Sequence, residues 1–159
     1  MRILIVSDTH RLDDNFFQAV EDVGEIDMVI HCGDAEGSEY ELQKAADVPL
    51  YIVRGNNDFF SDLEDELELE IEGKRILVTH GHYHHVSTGV EYLLSDAEQR
   101  NFDVVMFGHI HRPMIKEYGD LVILNPGSLS YPRQDGRAPS YIIMETDGNG
   151  EFDFTIEYL

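Results

Sequence analysis

The sequence predicts an α/β (α+β) fold in which two stacked, mixed β-sheets are flanked by helices. Up to about residue 107, short apolar runs alternate with helix-like segments, which is typical of βαβ units in a largely parallel sheet. Other segments alternate polar and apolar residues or are joined by strong turn signals such as 147–151. These segments favour a second, more antiparallel sheet.

Five apolar runs rich in isoleucine and valine are the predicted core strands. They are Ile3–Val6, Met28–Ile30, Leu50–Val53, Ile76–Val78 and Val104–Phe107. Residues 67–80 alternate in polarity, with an expected turn around Gly73, and the other segments predicted to be extended are 114–124, 140–146 and 152–158.

Three segments between the runs have the features of helices. The first is expected to be capped by Asp13 or Asp14, to run to Val23 and to stop at Gly24. The other two candidates are residues 39–46 and 89–100.

Length, composition and charge limit the possible functions. With 159 residues and 42% hydrophobic content, residues 1–159 are expected to form a single domain. No apolar run reaches the ~20 residues of a membrane helix, no signal-peptide pattern is recognisable, and Cys32 is the only cysteine. We therefore expect a cytoplasmic protein without membrane contact. A net charge of −21 disfavours long nucleic acids as partners but permits a small phosphate substrate held by metal.

Metal-capable side chains follow each of the five apolar runs. They are Asp8 and His10, Asp34, Asn56 and Asp58, His80 and His82, and His109 and His111. Because the carboxyl ends of strands line the ligand crevice of an open α/β sheet, these side chains are expected to meet at one edge. A lone histidine is more often an ordinary core or surface residue, but all eight histidines of this chain occur in or beside strand-end segments.

The mixture of carboxylate, imidazole and amide groups indicates the kind of ion. Such donors suit manganese, iron, cobalt, nickel or zinc, and do not suit an all-oxygen calcium site. Six or seven ligands are too many for one tetrahedral zinc and fit two ions that share a carboxylate. On an extended backbone His109 and His111 would face the same spot, and each is expected to reach a different ion.

Five motifs occur in order along the chain: Asp8-Thr-His10, Gly33-Asp34, Gly55-Asn56-x-Asp58, His80-Gly-His82 and Gly108-His109-x-His111. Together they resemble the calcineurin-like metallophosphoesterase superfamily. The short length and the stretch NPGSLSYPR (125–133) are similar to its small prokaryotic phosphodiesterase (YfcE-like) branch. The resemblance extends to about residue 133 and implies a four-layer α-β-β-α sandwich with two metal ions at one end.

By position, the resemblance also implies the site residues. Seven ligands would hold two divalent ions, with manganese expected first: Asp8, His10 and His111 at one ion, Asn56, His80 and His109 at the other, and Asp34 bridging both. The implied catalytic residues are Asp34, Asn57 and His82. The implied reaction is hydrolysis of a small phosphodiester by a hydroxide that bridges the two ions.

One position departs from the family pattern. Many relatives have histidine where this chain has Asn57, and an amide cannot deliver a proton at neutral pH. His82, His84 or His85 would have to replace it as general acid, unless the leaving group needs none. We therefore expect slow hydrolysis of unactivated esters and faster hydrolysis of activated diesters.

Other functions stay open beside the phosphodiesterase. The main alternative is a protein-binding scaffold resembling a retromer subunit of the same fold, with weak or no catalysis, which loss of several ligands would indicate. A DNA nuclease is disfavoured by the charge, and a monoesterase remains an alternative. The resemblance is also compatible with homodimers or tetramers.

Several further side chains carry two interpretations each. Arg112 and Arg133 are expected to form salt bridges, with phosphate contact as the alternative. Phe59 and Phe60 are expected to line either a substrate cavity or a dimer face. Residues 125–128 would either shape the loop beside the site or form only a turn.

Overall fold

The computed structural model describes residues 1–159 and contains ten strands and three α-helices. The strands are Arg2–Val6 (β1), Met28–His31 (β2), Leu50–Ile52 (β3), Glu66–Ile71 (β4), Lys74–Thr79 (β5), Val104–Phe107 (β6), Pro113–Tyr118 (β7), Leu121–Pro126 (β8), Ser140–Thr146 (β9) and Phe152–Tyr158 (β10). The helices are Asp14–Val23 (α1), Glu39–Ala46 (α2) and Glu91–Gln99 (α3), and a short 3₁₀ turn spans His82–His84.

Two five-stranded sheets form the body of the fold. The first has the strand order β10-β9-β1-β2-β3 and the second has the order β4-β5-β6-β8-β7. In the first sheet β1, β2 and β3 are parallel, and in the second β5, β6 and β8 are parallel. The remaining pairs are antiparallel, so both sheets are mixed, as the fold class predicts.

Three apolar clusters fill the spaces between four layers. Ile3 and Ile5 of β1 belong to the cluster between the two sheets, while Leu4 and Val6 of the same strand face α1 and α2. The other side of the second sheet packs against α3. Burial on both faces explains why β1 is a continuous apolar run rather than an alternating one.

The expectation of one largely parallel sheet and a second, more antiparallel one is wrong, because each sheet contains two parallel and two antiparallel strand pairs. β5 and β6 belong to the second sheet, and the tail strands β9 and β10 join the first. The reason lies in β1, which has β2 on one side only and would otherwise expose an unpaired edge. The buried strand β9 covers that edge by antiparallel pairing.

Local boundaries also differ from the expected ones. Residues 114–124 are not one extended segment but parts of a β7–β8 hairpin that turns at Gly119, whose φ of 63° suits glycine. Asp13 occupies the N-cap position of α1 without capping it, because its carboxylate instead accepts a hydrogen bond from Ser38 at 3.1 Å.

None of the helices combines the length and the apolar character that crossing a membrane would require.

Candidate metal centre

The loops that follow the parallel strands of both sheets converge at one end of the sandwich. Within the sheets, the Asp8 amide donates to the Gly33 carbonyl at 3.0 Å, and the Gly108 amide donates to the His80 carbonyl at 3.3 Å. Between the sheets, His80 Nδ1 lies 2.7 Å from the Cys32 carbonyl oxygen. The strand ends that the sequence predicts at a common edge therefore form one polar surface.

Five of the seven expected metal ligands have left-handed backbone conformations. Their φ angles are 54° for Asp8, 47° for His10, 60° for Asp34, 70° for His109 and 56° for His111. Such a conformation costs roughly 1–3 kcal/mol for a residue with a Cβ, and its concentration in one place is typical of functional loops. Because β6 ends at Phe107 and both histidines have positive φ angles, His109 and His111 do not lie on an extended backbone, and the expectation that they face the same spot from a strand is wrong.

Asp8, His10 and His111 form the first cluster of metal-capable atoms. His111 Nε2 lies 3.0 Å from Asp8 Oδ1, and His10 Nε2 lies 3.8 Å from the same oxygen and 3.4 Å from His111 Nε2. Asp8 is fully buried, yet its Oδ1 has no hydrogen-bond partner of suitable geometry. An unpartnered buried carboxylate oxygen is costly, and a bound cation would satisfy it.

Asp34, His80 and Asn56 form the second cluster. His80 Nε2 lies 3.4 Å from Asp34 Oδ2 and 3.0 Å from Asn56 Oδ1. The same Asp34 oxygen lies 3.8 Å from His10 Nε2 in the first cluster. One carboxylate thus reaches both clusters, which is the position that a bridging ligand requires.

The outer ring nitrogens of three histidines are each held by an acceptor. The distance is 2.7 Å in every case: His10 Nδ1 to a Glu36 carboxylate oxygen, His80 Nδ1 to the Cys32 carbonyl oxygen and His111 Nδ1 to the Tyr131 carbonyl oxygen. These oxygens can only accept, so each Nδ1 carries a proton, and in the neutral imidazole each Nε2 turns a lone pair toward the clusters. Metal-bound histidines use the same outer hydrogen bond. The donor set therefore fits divalent transition metals.

His109 and His82 stand beside the second cluster. The His109 ring packs edge-on against His80 with centroids 5.2 Å apart, and the His82 ring lies 5.4 Å from His80. The ring nitrogens of His109 and His82 are not among the closely grouped donor atoms. Burial and the neighbouring His80 lower the pKa of both His82 and His109, so both imidazoles are neutral at pH 7.

Charges within the second cluster shift two further pKa values. Burial acts to raise the pKa of Asp34, but hydrogen bonds and charge from His80 and hydrogen bonds from Asn57 outweigh it and hold the pKa well below its usual range. Burial acts to lower the pKa of His80, but Asp34 and Asp8 raise it to about 9. Without a metal ion, a proton on His80 thus balances part of the carboxylate charge.

Asn57 contacts the expected bridging carboxylate twice. Its backbone amide donates to Asp34 Oδ1 at 2.8 Å, and its side-chain Nδ2 donates to Asp34 Oδ2 at 2.7 Å. Asn57 therefore orients Asp34. The other general-acid candidates lie elsewhere: His84 Nε2 is 3.4 Å from Asp96 Oδ2, and the His85 ring packs near Tyr92.

Asp58 is a positioning residue that the sequence shows only as part of a motif. Its buried carboxylate accepts three backbone hydrogen bonds, from Asp34 (2.9 Å), Glu36 (2.6 Å) and Gly55 (2.7 Å). These bonds join the loop after β2 to the loop after β3. The signal in the sequence is the aspartate two residues after Asn56.

Residues 125–128 shape the site in addition to turning the chain. Asn125 donates from its side chain to the Gly108 carbonyl at 2.6 Å, next to His109. Ser128 Oγ donates to the Asp8 carbonyl at 2.8 Å. Both contacts hold loops that carry expected ligands.

Glycine is required at two positions because the backbones approach closely. A Cβ at Gly55 would overlap the Asp34 side chain, and a Cβ at Gly108 would overlap Ser7 Oγ and lie 2.9 Å from the Cys32 carbonyl oxygen. Neither glycine has a positive φ. These two glycines therefore serve close packing between loops.

Two clefts border Asn57. The arginine cleft, of about 810 Å³, is lined by Arg112, Arg133 and Arg137 together with His10 and His111. The phenylalanine cleft, of about 590 Å³, is lined by Arg11, Phe59 and Phe60 among others. The expected salt bridges of Arg112 and Arg133 are wrong, because no carboxylate oxygen lies within 4.0 Å of either guanidinium. The one acidic residue of their loop, Asp135, is exposed and unpaired.

Similarity to known proteins agrees with this geometry. Residues 1–149 match the family model described as the calcineurin-like phosphoesterase superfamily domain. The probable metallophosphoesterase YsnB of Bacillus subtilis is 37% identical over 150 residues, which cover 94% of this chain and 86% of YsnB. Phosphodiesterase MJ0936 of Methanocaldococcus jannaschii is 31% identical over 147 residues, covering 80% of this chain and 83% of that protein.

Solved structures with the same fold come from two kinds of protein. A predicted phosphoesterase from Streptococcus pneumoniae superposes with a TM-score of 0.79 at 30% identity, covering 99% of this chain and 88% of that one. Vps29 from Entamoeba histolytica superposes with a TM-score of 0.79 at 23% identity over 100% of this chain and 99% of its own, which shows the fold alone. On the family match and the sequence identities, this chain belongs to the calcineurin-like phosphoesterase superfamily.

Proposed function

We propose that the protein is a phosphodiesterase that hydrolyses small phosphodiesters with two divalent metal ions. The observation that carries the proposal is the convergence of lone pairs: the Nε2 atoms of His10, His80 and His111 and the oxygens of Asp8 and Asp34 face a common space. Each histidine is held there by an acceptor at Nδ1. Without metal ions this arrangement crowds carboxylate oxygens and ring nitrogens together, and only protons such as the one on His80 offset their charge, whereas a bound divalent ion would satisfy these atoms directly.

The proposed ligands divide as the resemblance implies. Asp8, His10 and His111 would hold one ion, Asn56, His80 and His109 would hold the other, and Asp34 would bridge both. When bound, two divalent ions would lower the pKa of a shared water molecule and offset charge on the phosphoryl oxygens. Manganese is our first choice, and iron, cobalt, nickel and zinc suit the same donors.

The chain's own residues then position the reaction. Asn57 keeps the Asp34 carboxylate turned toward both clusters through its two hydrogen bonds. His82 is neutral at pH 7, so it offers a hydrogen bond but no excess proton for a leaving group. A slow rate with poor leaving groups follows, because neither Asn57 nor His82 supplies that proton.

The two clefts support a diester rather than a monoester. A phosphate held at the clusters would have one cleft available for each ester arm, since both clefts border Asn57. A protein-binding scaffold receives less support, because it has no use for three histidines held with their lone pairs inward. We further propose that the enzyme acts in the cytoplasm.

Hydrolysis of bis-p-nitrophenyl phosphate tests the proposal. The purified protein would be assayed as isolated, after chelation, and after addition of manganese, nickel, cobalt, zinc or magnesium. Activity that disappears on chelation and returns with a transition metal is the expected result. A folded protein that is inactive with every metal would contradict it and would favour the scaffold.

Variants separate the site from a contaminating activity. Asp34→Asn and His10→Gln should each reduce kcat/KM at least a hundredfold, with folding verified by circular dichroism. Asp153→Asn makes the same charge change as Asp34→Asn on an exposed residue of β10, and it should retain full activity. Equal activity in all three variants would show that the hydrolysis does not occur at this site.

A further inference from the structure

Four of the eight arginines have no carboxylate partner. Arg2, Arg54, Arg75 and Arg100 each lie within 3.5 Å of an acidic side chain. No carboxylate oxygen lies within 4.0 Å of the other four, Arg11, Arg112, Arg133 and Arg137. In a chain with 32 acidic and 11 basic residues, partners are abundant. Unpaired guanidinium groups in such a chain therefore need a reason.

The unpaired arginines are not scattered over the surface. Three of them line the arginine cleft, whose other walls include His10 and His111 of the first cluster. The fourth, Arg11, lines the phenylalanine cleft together with four acidic residues. Positive charge is thus concentrated in the arginine cleft, which has no acidic residue in its lining, against a net charge of −21 for the whole chain.

Backbone contacts fix the arginine-bearing loop to a metal ligand. The Arg133 amide donates to the His111 carbonyl at 2.9 Å, and the Tyr131 carbonyl oxygen lies 2.7 Å from His111 Nδ1. Arg112 Nε donates to the Arg133 carbonyl at 3.2 Å, which leaves both Nη groups of Arg112 free. The backbone of this loop and the Arg112 guanidinium are consequently held beside the first cluster, and no carboxylate neutralises any of the three guanidinium groups.

We propose that the arginine cleft binds a second, non-hydrolysed phosphate group that the substrate carries on one of its ester arms. This assignment rests on the proposed phosphodiesterase function and narrows its substrate class to small diesters with an additional phosphate. Guanidinium groups match phosphate oxygens with paired, charge-assisted hydrogen bonds. Three guanidinium groups carry more positive charge than a single carboxylate group on the substrate would balance, which favours a phosphate group as the ligand. The acidic remainder of the surface restricts the ligand to a small molecule.

Two chromogenic esters with the same leaving group test the proposal. One is thymidine 5′-(p-nitrophenyl phosphate), and the other carries an additional 3′-phosphate. With the manganese-loaded protein, kcat/KM should be at least about tenfold higher for the 3′-phosphorylated ester, since each charge-assisted hydrogen bond gained is worth about that factor. Arg133→Gln and Arg137→Gln should each reduce this preference at least fivefold. Lys44→Gln removes the same charge from an exposed position on α2 and should leave the preference intact.

A binding measurement gives a readout that does not depend on turnover. Isothermal titration would compare thymidine 3′,5′-bisphosphate with thymidine 5′-monophosphate, with manganese and with a chelator. The bisphosphate should bind at least fivefold more tightly in both conditions, and Arg133→Gln and Arg137→Gln should abolish the difference.

The outcomes separate the two proposals. Equal kcat/KM values for the two esters together with equal binding of the two nucleotides would overturn the phosphate site, even if the protein is an active diesterase. Tighter binding of the bisphosphate that requires the arginines would support the site, even if no diester is hydrolysed, and the proposed function would then fail on its own.

Discussion

Asp58→Asn tests whether one buried carboxylate holds the two loops that carry Asp34 and Asn56. The Asp58 carboxylate accepts backbone hydrogen bonds from Asp34, Glu36 and Gly55 at 2.6–2.9 Å and is 3% exposed. An asparagine has one acceptor oxygen in place of two. If that oxygen keeps the bonds from Asp34 and Gly55, the new amide NH₂ group faces the Glu36 N–H. Two donors then face each other, and the Glu36 N–H loses its acceptor.

The magnitude follows from these three bonds. Hydrogen bonds to a charged acceptor are worth about 1 kcal/mol more than neutral ones, so the two retained bonds lose about 2 kcal/mol together. Losing the third bond and leaving its donor buried costs about 2 kcal/mol more. The free energy of unfolding should therefore fall by about 4 kcal/mol, a large share of the 5–15 kcal/mol typical of a domain.

Urea unfolding of the chelated protein measures this loss. An unchanged dependence of the unfolding free energy on urea concentration would show that the variant and the wild type undergo the same unfolding transition. Asp62→Asn is the matched control, since Asp62 is an exposed neighbour with the same charge and no hydrogen bond or ion pair, and its variant should stay within about 0.5 kcal/mol of the wild type. A loss below about 1.5 kcal/mol for Asp58→Asn would refute the reasoning.

Three other substitutions and conditions give further expected outcomes. His31 is fully buried, and burial lowers its pKa to about 4. Its Nδ1 accepts a hydrogen bond from the Gly33 amide at 3.1 Å, so its Nε2 carries the proton and donates to Thr9 Oγ1 at 3.2 Å. Because the pKa of His31 is depressed in the folded state, the unfolded chain takes up a proton below about pH 6.5 that folded His31 does not, and the fold loses stability as the pH falls toward 4. Between pH 7.5 and 5 the free energy of unfolding of the metal-free protein should therefore fall by about 2 kcal/mol through this residue. His31→Asn should lack this part of the loss, and the comparison of the two proteins measures it. Gly55→Ala should weaken manganese binding at least tenfold in a titration, because its Cβ displaces Asp34, and unchanged affinity would show that the close packing is dispensable. Asn57→His should raise the rate for poor leaving groups relative to bis-p-nitrophenyl phosphate, and an unchanged ratio would mean that the missing acid does not limit the reaction.

The sequence predicts the layers of this fold better than the membership of its sheets. Runs buried on both faces, such as Ile3–Val6, identify core strands because consecutive apolar side chains are visible in the sequence itself. Which strand pairs with which depends on edges that need covering, and nothing local to β9 shows that it will pair with β1. The β7–β8 hairpin could not be predicted for a similar reason, because a single sequence does not distinguish a glycine at a turn, such as Gly119, from a glycine within a strand.

The candidate site was predictable in its residue types and less so in its geometry. Strand-end position brings Asp8, Asp34 and His80 together, as expected. The left-handed backbone at His109 and His111 could not be predicted, since it depends on loops held by Asn125 and Ser128 from distant parts of the chain. The ion pairs expected for Arg112 and Arg133 are absent, because an acidic composition does not show which carboxylates lie within reach of a given arginine.

The number of metal ions bound per chain tests the central claim most directly. The protein would be loaded with manganese, freed of excess ion by gel filtration and analysed by elemental mass spectrometry against protein concentration. The arrangement of two clusters joined by Asp34 predicts about two ions per chain, and no more than one in His10→Gln. A wild-type protein that retains one ion or none under these conditions would contradict a dinuclear centre.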